Sequence, residues 1–572
     1  MTIRLLVASL LTAAIASADA SQQPAGQSAA AGPPASLSGV IVEAQTGSPV
    51  AGALVTLIGG EESRPAIRTT GDGRFSFASI RPGDYTLYVS AQSFVPLRFG
   101  AASPGDPGTS IVARPGASVT LTVPLVRGGV IAGTVTTEAG DPFIHASIGL
   151  WRRGYSPQTG ERTIVQVWPV GGVTDDRGQY RLFNVPPGEY FVATTGEEPP
   201  RQGPQAGRPD DRAVRVMTHA DVQAVRQTFV APPPAIVVRA TPTLTFYPGV
   251  ARPQDAAPIS IAPGQDIASV DFVVKTAPLA TVAGSITAGT VAADLSRATI
   301  GLRATGLRAI ISNFHHMFGW VDGGRFSLMG VHPGEYILFA SVVVDQVTLQ
   351  AEERLTVSGR DISGIALTLE PGITVSGRVQ YASAPPELAP RFRFVFRHID
   401  DLSSNIVGTI PAVDVDGARA FTLAGLRRGL YRIELVSVSN NSGWWMPSAI
   451  VNGIDAADTP VEISEGSVTD VVITVTTTPG EIAGAAPASR TVVVFPVDRA
   501  FWQPRSRRIA GVRPSSDGQY IVRRLPPGEY FVAGADGIEP GQWFNREFLQ
   551  EIAATATRVR LAAGDRKRVD VK

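Results

Sequence analysis

Five times along the chain a short phrase recurs: Arg81-Pro82-Gly83-Asp84-Tyr85, Pro186-Pro187-Gly188-Glu189-Tyr190, His332-Pro333-Gly334-Glu335-Tyr336, Arg427-Arg428-Gly429-Leu430-Tyr431 and Pro526-Pro527-Gly528-Glu529-Tyr530. Proline fixes φ near −65° at the second position of a type II turn, and glycine accepts a positive φ at the third. Each tyrosine then opens an alternating run, such as Tyr85, Leu87 and Val89 or Tyr431, Ile433 and Leu435, and period two marks a half-buried strand. About ten residues upstream, a glycine turn leads into an aromatic residue that opens a second alternating run: Phe75, Tyr180, Phe326, Phe421 and Tyr520. Two such strands joined by a Pro-Gly turn are expected to pair as a hairpin.

Farther upstream each copy begins with a short strand around a glycine, at Gly39, Gly133, Gly284, Gly377 and Gly484. From that glycine to the turn glycine the distances are 44, 55, 50, 52 and 44 residues. This interval is too long for a stacked solenoid repeat but right for half of a sandwich of about 100 residues. Length alone would suggest roughly four domains of about 150 residues; the repeats raise the expectation to five self-contained β-sandwiches, as beads on a string. In the fourth copy Arg428 and Leu430 stand where proline and an acid occur elsewhere, so its turn is expected to differ.

The composition agrees with an all-β chain. Among 572 residues there are 59 glycines and 45 prolines, and 44% of residues are hydrophobic, which excludes wholesale disorder. Fifty basic residues balance fifty acidic ones, so no net field draws in nucleic acid or an anionic membrane. Nearly all the basic residues are arginine, with lysine only at Lys275, Lys567 and Lys572. The cluster Arg505-Ser506-Arg507-Arg508 reads as a solvated face rather than a phosphate site.

At the N-terminus, Arg4 precedes the apolar run Leu5–Ala18, and Ala18-Asp19-Ala20 supplies an A-x-A cleavage site. The run is short of the roughly 20 residues a membrane span requires. A cleaved signal peptide over residues 1–20 and an exported chain, periplasmic or extracellular, are therefore expected. Cysteine is absent, which removes disulfides and a lipid-modified cysteine from consideration. No apolar run in the mature chain reads as a membrane span.

Residues that could carry chemistry are sparse. The six histidines form no H-E-x-x-H or i, i+4 pair, and adjacent His315 and His316 would point to opposite faces of a strand. There is no G-x-S-x-G elbow and no phosphate-cradling glycine loop, so no catalytic residue, metal or cofactor is expected. Asp414-x-Asp416-Gly417 lacks the remaining ligands of a calcium loop and falls in the turn register of the repeat. Four tryptophans, Trp444, Trp445, Trp502 and Trp543, are the candidates for stacking on a sugar ring. Two short helices are expected, over residues 219–227 and 545–554, the second capped by Asn545 with Phe548, Leu549 and Ile552 on one face.

The first copy, with Gly39-Val40-Ile41-Val42, Gly47-Ser48-Pro49-Val50, Ala53-Leu54-Val55, Asp72-Gly73-Arg74-Phe75 and Pro82-Gly83-Asp84-Tyr85, resembles the carboxypeptidase regulatory-like domain. The whole array resembles tandem-domain exported proteins abundant in Acidobacteria. The resemblance implies a transthyretin-like or Ig-like β-sandwich, grouped with carbohydrate-binding-like folds and with domains that can carry Lys–Asn isopeptide bonds. With three lysines at strand ends or the C-terminus, such cross-links are not expected here. The expected organisation is a signal peptide (1–20), a disordered linker (21–35), and sandwiches at 36–127, 128–276, 277–371, 372–478 and 479–572, the second carrying a mobile insertion at about 197–240. The expected function is a non-catalytic binding or scaffold protein of the bacterial cell envelope, with a polysaccharide or another envelope protein as partner and no nucleic acid. Polysaccharide binding is one alternative, and accessory partnership with a separate hydrolase a second.

Overall fold

The computed structural model describes residues 32–59, 65–101, 106–156, 159–194, 240–289, 291, 293–305, 316–345, 347–382, 390–399, 412–415, 419–438, 443–464, 466 and 468–572. The expected signal peptide, the expected insertion and the helix expected at 219–227 lie outside these residues. The chain is all-β: among the described residues, ten of eleven sheets pair face to face into five sandwiches, and a two-stranded ribbon (Ala240–Pro242 with Thr276–Pro278) makes the eleventh. No helix among the described residues is long and apolar enough to cross a membrane.

All five sandwiches share one wiring. The opening strand (Ala35–Glu43 in the first) lies between the aromatic strand (Arg74–Ile80), antiparallel to it, and the closing strand (Ser118–Leu125), parallel to it. The facing sheet pairs Leu54–Ile58 with the tyrosine strand Gly83–Ser90. The repeated glycines Gly39, Gly133, Gly284, Gly377 and Gly484 sit in the opening strands where a Cβ would overlap a carbonyl oxygen of the chain entering the closing strand, from Leu121, Val270, Ile365, Val471 and Val569 respectively. Close backbone approach, not turn formation, is what requires glycine there.

The Pro-Gly link is not a hairpin. In every copy the aromatic strand belongs to one sheet and the tyrosine strand to the other, so the link carries the chain around the edge of the sandwich. The reason is burial from two sides. The last apolar residue of each aromatic strand (Ile80, Val185, Val331, Leu426, Leu525) and the tyrosine five residues later both enter the same core, and strands of one sheet joined by so short a link could not face each other. A β-bulge precedes each corner, with Asn184, Gly330, Gly425 or Arg524 in the left-handed region in the last four copies. The glycines Gly83, Gly188 and Gly429 have φ of 157°, 152° and 142°, well beyond the roughly +80° of a type II turn.

In four of the five copies the tyrosine itself pins the corner. Its hydroxyl donates to the carbonyl four residues back: Tyr85 to Arg81 (2.8 Å), Tyr336 to His332 (2.9 Å), Tyr431 to Arg427 (3.0 Å) and Tyr530 to Pro526 (2.6 Å). All five motif tyrosines are buried, from 0% to 8% exposed. The fourth copy makes the same corner despite Arg428 and Leu430, because the bond uses the Arg427 carbonyl and the ring fills the core whichever residues occupy the link.

The sandwiches are not independent beads. Residues 126–128 join the first two, zipped by Val95 N–H to the Val126 carbonyl and Gly128 N–H to the Ser93 carbonyl. The fifth bonds to the first, second and fourth, as described below. It also carries a second core on its outer face, where the helix Arg546–Ala553 covers Val493, Phe495 and Ala533 with Leu549 and Ile552; Asn545 caps it by accepting from Phe548 N–H at 2.9 Å.

Replacing Tyr530 by Phe should keep the ring and lose the corner bond together with the bond the hydroxyl accepts from Arg508 Nη1 (3.2 Å), destabilising the protein by about 1–3 kcal/mol. Tyr530→Ala should cost about 3–5 kcal/mol. Urea denaturation of both variants checks the order and the gap.

Candidate functional site

The expected stacking tryptophans are placed mostly inside. Trp444 is 6% exposed and packs edge-on against Tyr381 (5.1 Å) and Phe392 (6.1 Å) in the fourth core. Trp445 is equally buried, and Trp502, 2% exposed, donates its indole N–H to the Pro496 carbonyl at 2.7 Å against the Phe495 ring. Trp543 is half-buried, with its ring laid over Gly511. Adjacent residues alternate across a strand, but here both sides of Trp444-Trp445 are covered, so neither offers an open ring face to a sugar. Among the described residues no three His, Asp or Glu side chains gather as a metal site.

Concavity arises instead where three sandwiches converge. A cleft of about 800 Å³ opens between the edge of the first sandwich and the outer face of the second, with Arg513 of the fifth at its rim. One wall is apolar, built by Leu97 and Phe99 from the edge of the first sandwich and Val126 from the zipped linker. The opposite wall comes from strands Ser147–Tyr155 and Arg162–Val173, whose outward positions carry Arg153, Arg162 and Gln166. The second Pro-Gly corner closes one end with Glu189 and Tyr190, whose phenol burial pushes up to about 12.

The fifth sandwich locks this geometry. Arg513 donates to the Gly100 carbonyl (2.7 Å) and pairs with buried Asp106 (2.8 Å). Ser516 N–H donates to the Ser110 carbonyl (2.8 Å), and Arg114 pairs with Asp517 (2.8 Å). On the second sandwich Arg152 pairs with Glu539 at 2.7 Å. Arg153 and Arg162 are exposed and have no carboxylate partner among the described residues. The cleft thus offers an apolar strip with Arg162 and Arg153 on the other wall, the Arg153 guanidinium lying over the Phe191 ring at 5.5 Å.

The Arg505–Arg508 cluster is not a solvated face. Arg507 and Arg508 both grip Asp458 of the fourth sandwich (2.7 Å each), whose side chain is 2% exposed. Arg507 also donates to the Pro447 carbonyl at 2.7 Å, and Arg508 to the Pro527 carbonyl at 2.9 Å. Burial alone would raise the Asp458 carboxyl, but hydrogen bonds and charge from Arg507 and Arg508 outweigh it and hold the group below its ordinary 3.8. Neither this clamp nor the cleft left a motif in the sequence, because each joins side chains from separate sandwiches.

Residues 36–126 match the profile of the Carboxypeptidase regulatory-like domain. Among solved structures, the Bacillus anthracis TIE protein aligns at 13% identity over 59% of this chain, with a TM-score of 0.16, and the chain spans only 51% of that protein. The minor pilin of Streptococcus agalactiae aligns at 12% identity over 42% of this chain and 96% of its own, with a TM-score of 0.19. A proposed carbohydrate-binding protein from Bacteroides uniformis aligns at 13% identity over 28% of this chain and 89% of its own, with a TM-score of 0.14. No curated protein matches the chain.

Asp458→Asn would leave two buried guanidiniums without their carboxylate and should cost about 3–5 kcal/mol. Because the folded-state pKa of Asp458 is depressed, its contribution is fully present above 3.8 and is lost only as pH falls below that value. Thermal melts of the variant, and an acid titration of the wild type followed by small-angle scattering, measure the two effects.

Proposed function

We propose that this chain is a non-catalytic binding and scaffold protein of the bacterial cell envelope, and that the cleft between its first, second and fifth sandwiches takes an acidic polysaccharide. The observation that carries this reading is the pairing of an apolar wall, Leu97 and Phe99, with Arg153 and Arg162, which have no carboxylate partner among the described residues. A sugar ring has an apolar face and a hydroxyl rim, so an aromatic side chain and hydrogen-bond donors on opposite walls suit it. Uronate or sulfate groups would engage the guanidiniums through charge-assisted, bidentate bonds. A volume of about 800 Å³ falls within the roughly 300–1,000 Å³ range of small-ligand sites, which favour domain junctions. Export through the signal peptide over residues 1–20 would bring the protein to such polymers.

The test is retention of the mature protein on immobilised polygalacturonate and alginate, with neutral dextran as control. Retention on the acidic polymers is expected. Arg153→Ala with Arg162→Ala should weaken it at least about tenfold, the equivalent of roughly 1.4 kcal/mol, while thermal stability stays within about 0.5 kcal/mol because both side chains are exposed. Failure of the unmodified protein to bind any acidic polymer removes the polysaccharide reading.

A further inference from the structure

A second group of charged side chains lies where the outer sheet of the fourth sandwich meets the Gln503–Arg508 turn of the fifth. Arg397 and Arg432 are direct cross-strand neighbours in the antiparallel pairing of Phe392–His398 with Gly429–Val438, so both project from the same face. Arg432 reaches across to the fifth sandwich, donating to the Pro504 carbonyl at 3.0 Å and to the side chain of Gln503. The next residue, Arg505, is half-buried and held at φ 56°, in the left-handed region a bulky residue rarely occupies. It makes no hydrogen bond or ion pair among the described residues, and it feels the charge of Arg397 and Glu434 directly.

The charges there do not balance. Asp455 and Asp458 are taken by Arg507 and Arg508. That leaves Glu434 as the one described carboxylate among Arg397, Arg432 and Arg505, and Arg397 occupies it through Nε at 3.0 Å to both oxygens. Two guanidinium N–H groups, Nη1 of Arg397 and Nε of Arg432, are buried with no hydrogen-bond partner among the described residues. The Arg397 side chain is only 11% exposed. Buried donors aimed at nothing, beside a surplus of two positive charges, are costly in free energy, and the cost falls when an anion supplies the acceptors.

We propose that this junction is an oxyanion site, in which Arg397, Arg432 and Arg505 together hold a sulfate, phosphate or carboxylate group and so fasten the fourth sandwich to the fifth. Planar guanidiniums suit such groups because each can present two parallel donors to two oxygens. The group can be a free ion or a substituent on a polymer, since Arg505 and Glu434 leave the site partly open to solvent. The site is distinct from the cleft, which is built by the first, second and fifth sandwiches, and it stands whether or not the cleft binds polysaccharide.

The experiment uses the full mature chain, with thermal melts and titration calorimetry in sodium sulfate, sodium phosphate and dextran sulfate, each against sodium chloride at matched ionic strength. The proposal expects a saturable rise in Tm with at least one of these ligands. In Arg505→Gln the affinity should fall at least tenfold. That variant breaks no bond and removes one charge of the surplus, so without oxyanion it should melt at or above the wild-type temperature. Protection by sulfate or phosphate identifies a free ion as sufficient; protection by dextran sulfate alone identifies the polymer-borne group. No rise beyond the chloride control with any ligand overturns the proposal, as does a rise that Arg505→Gln leaves unchanged. Arg432→Lys keeps the charge and loses the fork geometry; affinity equal to wild type in that variant would also count against it.

Discussion

A tyrosine hydroxyl bonded to a carbonyl four residues earlier is a small interaction, yet the sandwich architecture turns on it. The chain must leave one sheet and enter the facing one within two residues, and it must do so with an apolar side chain buried on each side of the corner. A bulge redirects the incoming strand, an extended glycine admits the outgoing one, and the phenol ties the outgoing strand to the backbone it has just left. Without that tether the corner carbonyl would have only water as its donor, and the two strand ends would be free to splay. The same logic explains why Arg428 and Leu430 are tolerated in the fourth copy. The restraint is made by ring and main chain, and the link residues only need to avoid blocking it.

Much of the fold was legible because its determinants are local. Gly-aromatic turns, period-two runs and buried tyrosines each follow from a few neighbouring residues, and so does the Asn545-capped helix. The Pro-Gly hairpin was misread because alternation says which side chains of a strand share a face and nothing about which sheet the strand joins. Two strands that pack face to face write the same pattern as two that hydrogen-bond side by side. The opening glycines were legible as markers, but their reason, contact with backbone 81 to 137 residues onward, is a tertiary fact.

The candidate site was hardly legible at all. Phe99, Arg153 and Arg513 are unremarkable residues on separate sandwiches, and only the docking of the fifth onto the first and second brings them to one cleft. The tryptophans misled for the opposite reason. Large aromatics next to a polar loop suggest exposure, whereas Trp444 packs into the fourth core and Trp445 is just as well covered. Arginine carries the contacts between sandwiches because its long stem can cover apolar surface while its fork satisfies backbone carbonyls and carboxylates together, as Arg507 does. A charge cluster in a sequence therefore says little until its surroundings are known.

The fifth sandwich completes the first two. Arg513, Ser516, Asp517 and Glu539 reach back to residues about four hundred positions earlier, so a nascent polypeptide displays the first two sandwiches with their facing walls unbraced until the fifth has been made. The cleft is thus a record of completion. A chain cut short before the fifth sandwich can fold several sandwiches and still lack the rim that Arg513 supplies, and proteolysis that removes the fifth sandwich would open the recess without touching either of its walls.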